Sequence, residues 1–455
     1  MQRNTTQENK MGTTPIRRLL ISMALPMAAS MLVQALYNIV DSIYVSRLSE
    51  AALSAVSLAF PVQNIMMALA SGTAVGVNAM VSRSLGAKNQ EEADRFAAMG
   101  ILLEMAAMLV MVIFGLTFSR RFFVLQTADA TIIQHGEDYL FWVCVVSVGL
   151  FGQVLGERLL CSTGKTIYSM VSQITGAVIN IILDPILIFG YLGFPAMGTA
   201  GAAIATVVGQ IIAACIAFAF NARVNKELHF RMKYLLSPRL SYMRQILVVS
   251  IPSMVMMMVG SVMNFGMNQI LLSFSSTAVA VFGVYYKLQS FVFMPVFGLN
   301  NAMVPIVAYN YGAHRRKRIV DTVKLAVLYA TGLMLLGVLL FMIVPDLLLS
   351  LYNASETMLQ IGRPALRITS IAFLFAGYSI VISSVFQALG NGVYSLIVSV
   401  ARQILVLLPV AYLLSLSGSL TAVWAAFPIA EVVSVLVSSL LLLRLYRNRI
   451  ACLPE

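Results

Sequence analysis

The sequence predicts an all-α membrane protein of twelve transmembrane helices, arranged as two pseudo-symmetric six-helix lobes. Three observations predict it. First, the 455 residues are 60% hydrophobic and 11% charged, whereas a soluble domain carries roughly 25% charged residues. Second, the apolar residues gather in runs that match the ~20 residues a helix needs to cross a bilayer. Third, the chain repeats itself 226 positions apart. Pro26 answers Pro252, Asn38 answers Asn264, Gln63 answers Gln289 and Gly72 answers Gly298. Gly86-Ala87 and Gly312-Ala313 keep the register, as do Gly164, Tyr168 and Ser169 with Gly390, Tyr394 and Ser395. A hydrophobic chain of two like halves is the mark of a transporter whose cleft opens to either side in turn.

Hydropathy places the spans at 17–45, 52–81, 96–118, 136–157, 166–190 and 199–222 in the first half. The second half continues with 243–273, 278–310, 319–345, 358–388, 393–415 and 420–444. The lobes are therefore 1–228, with a polar, basic linker to about 242, and 243–455. The first run is too long for a signal-peptide core and no small-residue cleavage site follows it, so it reads as a spanning helix. Of the 30 Lys and Arg residues, 23 lie in one alternate set of loops and termini, and 4 (Arg47, Arg120, Arg121, Arg363) lie in the other. The basic side is cytoplasmic by the positive-inside rule, which puts both termini inside. With six spans per half, both lobes share one orientation, and their pseudo-two-fold axis runs along the membrane normal.

The spans differ in what they carry. Span 1 holds Pro26, which should kink it, and then Gln34, Asn38 and Asp41 at i, i+4 and i+7 on one face. Span 5 holds Asn180 and Asp184, also i, i+4, and Pro185 after them. The Pro185 ring disfavours helix at Asp184 and leaves the Ile181 carbonyl without its usual partner. Thr206 lies at comparable depth in span 6. Topology puts Asp41 and Asp184 in the outer half of the membrane, where an ionisable side chain is expensive and a functional candidate by default. Carboxylates, an amide and a loosened carbonyl suit proton exchange or coordination of a small cation. The plainer reading makes Asp41 a cap of span 1 and Asp184 the start of an Asp-Pro turn. Glu104 in span 3 has no assigned role.

In the second half, Met267 and Val410 stand where Asp41 and Asp184 stand in the first. That half carries instead Asn264, Asn268, Lys287, Gln289, Asn300, Asn301, Arg402 and Glu431. Arg402 and Glu431 are expected to pair, because an isolated charge there is costly. Lys287 either faces a cavity or pairs with an acid. Span 7 is rich in methionine, with Met257 among five within Met254–Met263, a composition over-used on surfaces that accept many ligands. Together with Tyr37, Gln63, Asn264, Asn268, Lys287 and Gln289, Met257 is a candidate for the substrate cavity. Tyr37, Phe60, Tyr285, Tyr286 and Phe293 are the aromatic candidates for contact with a flat cation.

Other classes are excluded. The net charge of +12 sits in loops, without the basic-aromatic arrays of a nucleic-acid binder. The four cysteines show no C-x-x-C spacing, and His135, His229 and His314 are scattered, so neither a disulfide framework nor a resident metal is expected. No nucleophile or nucleotide motif accompanies the intramembrane acids, which argues against an enzyme. No cofactor is expected.

At this point the motifs resemble a known family. Leu36-Tyr-Asn-Ile-Val-Asp-Ser-Ile-Tyr-Val, Ala-Leu-Ser-Ala-Val-Ser, Ser84-Leu-Gly-Ala-Lys and its counterpart Asn310-Tyr-Gly-Ala resemble MATE (multidrug and toxic compound extrusion) transporters. Asn180-x-x-x-Asp184-Pro185 and Gly201-Ala-Ala-Ile-Ala-Thr206 fit as well. Within the family the chain is similar to the bacterial branch of MepA-type exporters. The resemblance implies a V-shaped MATE/MOP-type fold in a bacterial cytoplasmic membrane. It implies a monomer that exports cationic organic compounds in exchange for H⁺ or Na⁺, with a coupling site at Asp41, Asn180, Asp184 and Thr206. A transient Na⁺ is the only metal it implies. Some members add an acid in helix 10; this chain has none within 364–388. A lipid-linked precursor flippase of the same superfamily is the alternative. It usually needs a strongly basic cavity, to which only Lys287, Arg367 and Arg402 would contribute. A major facilitator is a weaker alternative, since its basic loop motif is not evident at Arg83-Ser-Leu-Gly-Ala-Lys88.

Overall fold

The computed structural model describes residues 9–352 and 354–454. Arg3, one of the basic residues of the N-terminal segment, lies outside them. Every predicted span is found. Eleven helices are each long and apolar enough to cross a membrane, and the bent pair Ala130–Val145 and Val148–Ser162, joined at 45°, supplies the remaining span, the fourth. The chain is thus a multi-pass membrane protein, and no strand occurs among the described residues.

Spans 2 and 8 run beyond the hydropathy limits at both ends, and each starts from a polar cap. Ser49 begins span 2 (Glu50–Gly86), its Oγ accepting from the Ala52 N–H at 3.0 Å. Ser275 begins span 8 (Ser276–Gly312) in the same way, accepting from the Ala278 N–H at 3.1 Å. These serines are repeat mates, so the duplication preserved the cap along with the helix. Hydropathy reports the length of chain that lipid can tolerate and is blind to the turns that continue into the polar zone.

By internal contacts the chain forms two compact units. One is Ala29–Ser250; the other joins the chain up to Ala28 to the chain from Ile251 onward. These units differ from the predicted lobes 1–228 and 243–455. Helix Ile16–Leu48 passes from one unit to the other just after Pro26, and helix Leu240–Leu272 does so just before Pro252. The segment read as the polar, basic linker packs onto the Ala29–Ser250 unit. Leu228 and Tyr234 are buried, Lys165 pairs with Glu227 at 2.7 Å, and Asp94 accepts from the His229 N–H at 2.8 Å.

Within the Ala29–Ser250 unit, spans 4, 5 (Thr166–Phe189) and 6 (Gly198–Arg223) meet through small residues. A Cβ at Gly176 would strike Ala213 and the Gly209 carbonyl, one at Gly156 would strike Ala217, and one at Gly149 the Ile211 backbone. Small residues let helix backbones close up in a solvent that offers no hydrophobic drive between helices. The other unit is packed differently, around rings. Phe373 lies 5.2 Å from both Phe293 and Phe341, and Tyr285 lies 5.6 Å from Phe427. In the same unit the N-terminal stretch is strapped down: Arg318 Nη2 donates to the Met11 and Thr14 carbonyls at 2.9 and 2.8 Å.

Candidate functional site

The close seam of spans 5 and 6 decides which polar groups meet. With Gly176 and Gly209 in backbone contact, Asn180 of span 5 reaches Thr206 of span 6. Asn180 Nδ2 donates to Thr206 Oγ1 at 3.2 Å and to Asp184 Oδ1 at 3.4 Å. Asp184 is fully buried, 0% exposed, and its Oδ2 accepts no hydrogen bond. Asn180 Oδ1 and Asp41 Oδ1 are buried and unpartnered in the same way. Asp41 lies within electrostatic reach of Asp184, and both lie within reach of Tyr37. The four motif residues therefore belong to one constellation inside the Ala29–Ser250 unit.

An unpaired buried polar atom costs about 1–3 kcal/mol. Three oxygens in one site share that condition, two of them on carboxyl groups. Water, a proton or a small cation would each satisfy them. A donor set of two carboxylates, an amide oxygen and a hydroxyl serves either a proton or a small hard cation such as Na⁺.

The site opens into a cavity of about 80 Å³ lined by Gln34 and Tyr37 of span 1, Glu157 of span 4, Gln173 and Asn180 of span 5, and Thr206 of span 6. One water needs roughly 10–15 Å³ by this measure, so the chamber has room for several, while drug-sized ligands take pockets of roughly 300 Å³ or more. The chamber is built at the scale of ions and water. Gln173 Nε2 donates to Gln34 Oε1 at 3.2 Å across spans 5 and 1.

Several sequence expectations change. Asn38 does not join the stripe of span 1: it is exposed, and its carbonyl accepts from Ser42 Oγ at 2.8 Å. The inward face carries Gln34, Tyr37 and the Asp41 carboxyl; i, i+3, i+7 and i, i+4, i+7 each span about 60° of a helix, so the packing of span 1 and not its period selects Tyr37 over Asn38. Pro185 does not break span 5, which runs as one helix from Thr166 to Phe189 with Asp184 inside it. Pro26, the expected kink of span 1, lies inside the helix Ile16–Leu48. Gln63 is a strut, its Nε2 donating to the Tyr139 hydroxyl at 2.6 Å.

The remaining substrate-cavity candidates lie in the other unit. Met257 is exposed, Asn264 carries an unpartnered buried Oδ1, and Asn268 and Gln289 are half-buried. Lys287 Nζ stands 5.9 Å over the Tyr352 ring. Tyr285 and Phe293 are buried among aromatic rings, whereas Phe60 and Tyr286 are exposed. Arg402 Nη1 donates to Glu431 Oε1 at 2.7 Å, the pairing expected from the cost of isolated charge.

Glu157 is an acid of the cavity that sequence reasoning passed over, as it did Gln153, Gln173 and Gln210. It sits near the end of span 4, where hydropathy assigns polar residues to a loop. The repeat held the signal: its mate is Ser383, so Glu157 is as private to the first half as Asp41 and Asp184.

Comparison with known proteins agrees with this fold. The family model described as MatE matches residues 26–186 and again 252–413, once in each repeat. The multidrug export protein MepA of Staphylococcus haemolyticus is 26% identical over 436 residues, covering 96% of this chain and 95% of its own. An FAD transporter of Shewanella oneidensis is 26% identical over 419 residues, covering 92% of each chain. Among solved structures, the outward-facing conformation of a multidrug resistance MATE family transporter of the MOP superfamily superposes with a TM-score of 0.90 at 25% identity, covering 98% of each chain. A MOP superfamily transporter from Pyrococcus furiosus, described as having a binding pocket of reversed polarity, also gives 0.90 at 25% identity over 99% of each chain.

Proposed function

The chain belongs to the MATE family and is a transporter, not an enzyme; from that premise we propose that it is a cation-coupled antiporter. It exports cationic or amphipathic organic compounds by alternating access, as a monomer in a bacterial cytoplasmic membrane with both termini inside. H⁺ or Na⁺ from outside enters the site of Asp41, Asn180, Asp184 and Thr206, neutralises it and drives release of the substrate.

One observation carries the reading: three buried oxygens, on Asp41, Asn180 and Asp184, lack partners in one site. Their repeat mates Met267, Val406 and Val410 offer no polar atom. A site meant only for packing would have its lone pairs satisfied. One charge crossing about 100 mV supplies about 2.3 kcal/mol, and at about 1.4 kcal/mol per tenfold that sustains a gradient of roughly 50-fold for a neutral substrate. One-for-one exchange with a monovalent cation is electroneutral and draws on the chemical gradient alone.

The test is uptake of a fluorescent organic cation into everted vesicles under ΔpH and Na⁺ gradients imposed separately. Uptake driven by one gradient, lost in Asp41→Asn with substrate binding retained, supports the reading; full transport by Asp41→Asn sinks it. A second reading, export of a flavin dinucleotide, is favoured by the match to the FAD transporter. It predicts FAD accumulation in the medium of overexpressing cells and no resistance to organic cations.

A further inference from the structure

Glu157 has no part in the coupling site just described, yet it shares the cavity with it. It is half-buried, and its Oε1 accepts from Gln153 Nε2 at 3.0 Å and from Ser172 Oγ at 3.4 Å. Among the described residues it forms no ion pair. Its place along the helices is informative. Span 4 ends at Ser162, just beyond Glu157, and span 5 begins at Thr166, just before Ser172. Asp184 lies near the opposite end of span 5, which stops at Phe189. Ser172 and Asp184 are twelve residues apart, about 18 Å at 1.5 Å per residue. Glu157 therefore lines the cavity toward one end of the membrane, and toward the other Asn180 lines it and donates to the buried Asp184. Between them Gln34, Tyr37, Gln153 and Gln173 are polar groups of a wall that also carries Met67, Leu150, Val154 and Ala177. Asn180, 3% exposed, lines it with an unpartnered Oδ1.

We propose that Glu157 is the inner proton station of this unit, receiving the proton that Asp41 and Asp184 take from outside and releasing it to the cytoplasm. This rests on the coupling role of those two acids and on the loop at 163–165 facing inward. The transfer balances simply. The O–H bond at an Asp carboxyl breaks, the proton passes through water held against Tyr37 and the amides, and an O–H bond forms at Glu157 Oε2. Glu157 then gives the proton to water at the inner mouth, and the Asp is left as a carboxylate ready to reload. Amides and hydroxyls hold a water file without binding a metal tightly, and chains of acids are how intramembrane proton paths are built. The charged or titratable neighbours of Glu157 are Arg158 and Cys161 on its own helix and Tyr37 on span 1. The polar residues that spans 2, 5 and 6 present to the cavity are uncharged: Ser71, Gln173, Asn180, Thr206 and Gln210.

The experiment compares two modes in everted vesicles with ethidium as the probe. One is uptake driven by an acid interior; the other is exchange of ethidium against preloaded ethidium at equal pH, which needs no net proton transfer. In Glu157→Gln, driven uptake should fall by about tenfold or more while exchange stays within about twofold, as expected when one proton-transfer group is removed. Glu157→Asp should recover part of the driven rate with a displaced pH profile. Wild-type driven uptake in Glu157→Gln overturns the proposal. Loss of both modes in both variants overturns it too, assigning Glu157 to substrate binding or folding. Driven uptake that follows Na⁺ and ignores ΔpH also overturns it, with the Asp site untouched. Full driven uptake by Asp41→Asn and Asp184→Asn would instead sink the coupling reading itself. As a readout without substrate, acid-minus-alkaline infrared difference spectra of the purified protein should lose one carboxyl band in Glu157→Gln; an unchanged spectrum counts against the proposal.

Discussion

Asp184 has one carboxylate oxygen beside Asn180 and another beside nothing. That contrast explains why Asp184→Asn should abolish ion-driven uptake while leaving the fold intact: the amide fills the same volume and cannot ionise. Differential scanning fluorimetry alongside vesicle uptake checks both halves of the expectation. Thr206→Val removes the acceptor that positions Asn180, a neutral hydrogen bond worth about 1 kcal/mol, so driven transport should slow by about fivefold with little change in melting temperature. Asp41 and Asp184 were legible in the sequence because acids inside apolar runs are conspicuous. Asn38 misled because a polar residue shows its presence but not its azimuth, and the exposed face of span 1 tolerates it. Glu157 escaped because it stands beside Arg158, where a charged pair at a span's end looks like the beginning of a loop.

At the scale of elements, the seam of spans 5 and 6 holds the site together. Gly176→Val should clash with Ala213 and the Gly209 carbonyl and destabilise by about 1–3 kcal/mol. It should also part Asn180 from Thr206, so driven transport should fall further than stability alone accounts for. In the other unit, Arg402 and Glu431 tie span 11 to span 12. Glu431→Leu alone leaves a largely buried guanidinium unpaired, at a cost of about 3–5 kcal/mol; Arg402→Met with Glu431→Leu should regain most of it. Detergent-solubilised melting curves for the single and double variants decide this. The existence and order of all twelve spans could be read from hydropathy. The bend within span 4 and the unbroken course of span 5 through Pro185 could not, since both depend on which neighbours satisfy or crowd the backbone.

At the scale of the whole molecule, the two halves share their helices, caps and loop glycines but not their chemistry. Asp41, Glu157 and Asp184 face Met267, Ser383 and Val410 across the repeat. Planting an acid in the second half should therefore create no second coupling site: Asp41→Asn with Met267→Asp should transport no better than Asp41→Asn alone, because Val406 and Val410 stand there in place of Asn180 and Asp184. Ion-driven uptake restored in the double variant would show that the surroundings are dispensable. The sequence by itself determined the class, the count of spans, the duplication and the two acids at its asymmetry. These follow from composition and period, which lipid enforces residue by residue. Only the tertiary structure decided that helices Ile16–Leu48 and Leu240–Leu272 each belong to both units, that Tyr37 takes the place expected for Asn38, and that Glu157 shares a chamber with Asp184's partners. Those outcomes depend on how closely Gly176, Gly209 and Gly156 let the helices approach, which no single helix's sequence records.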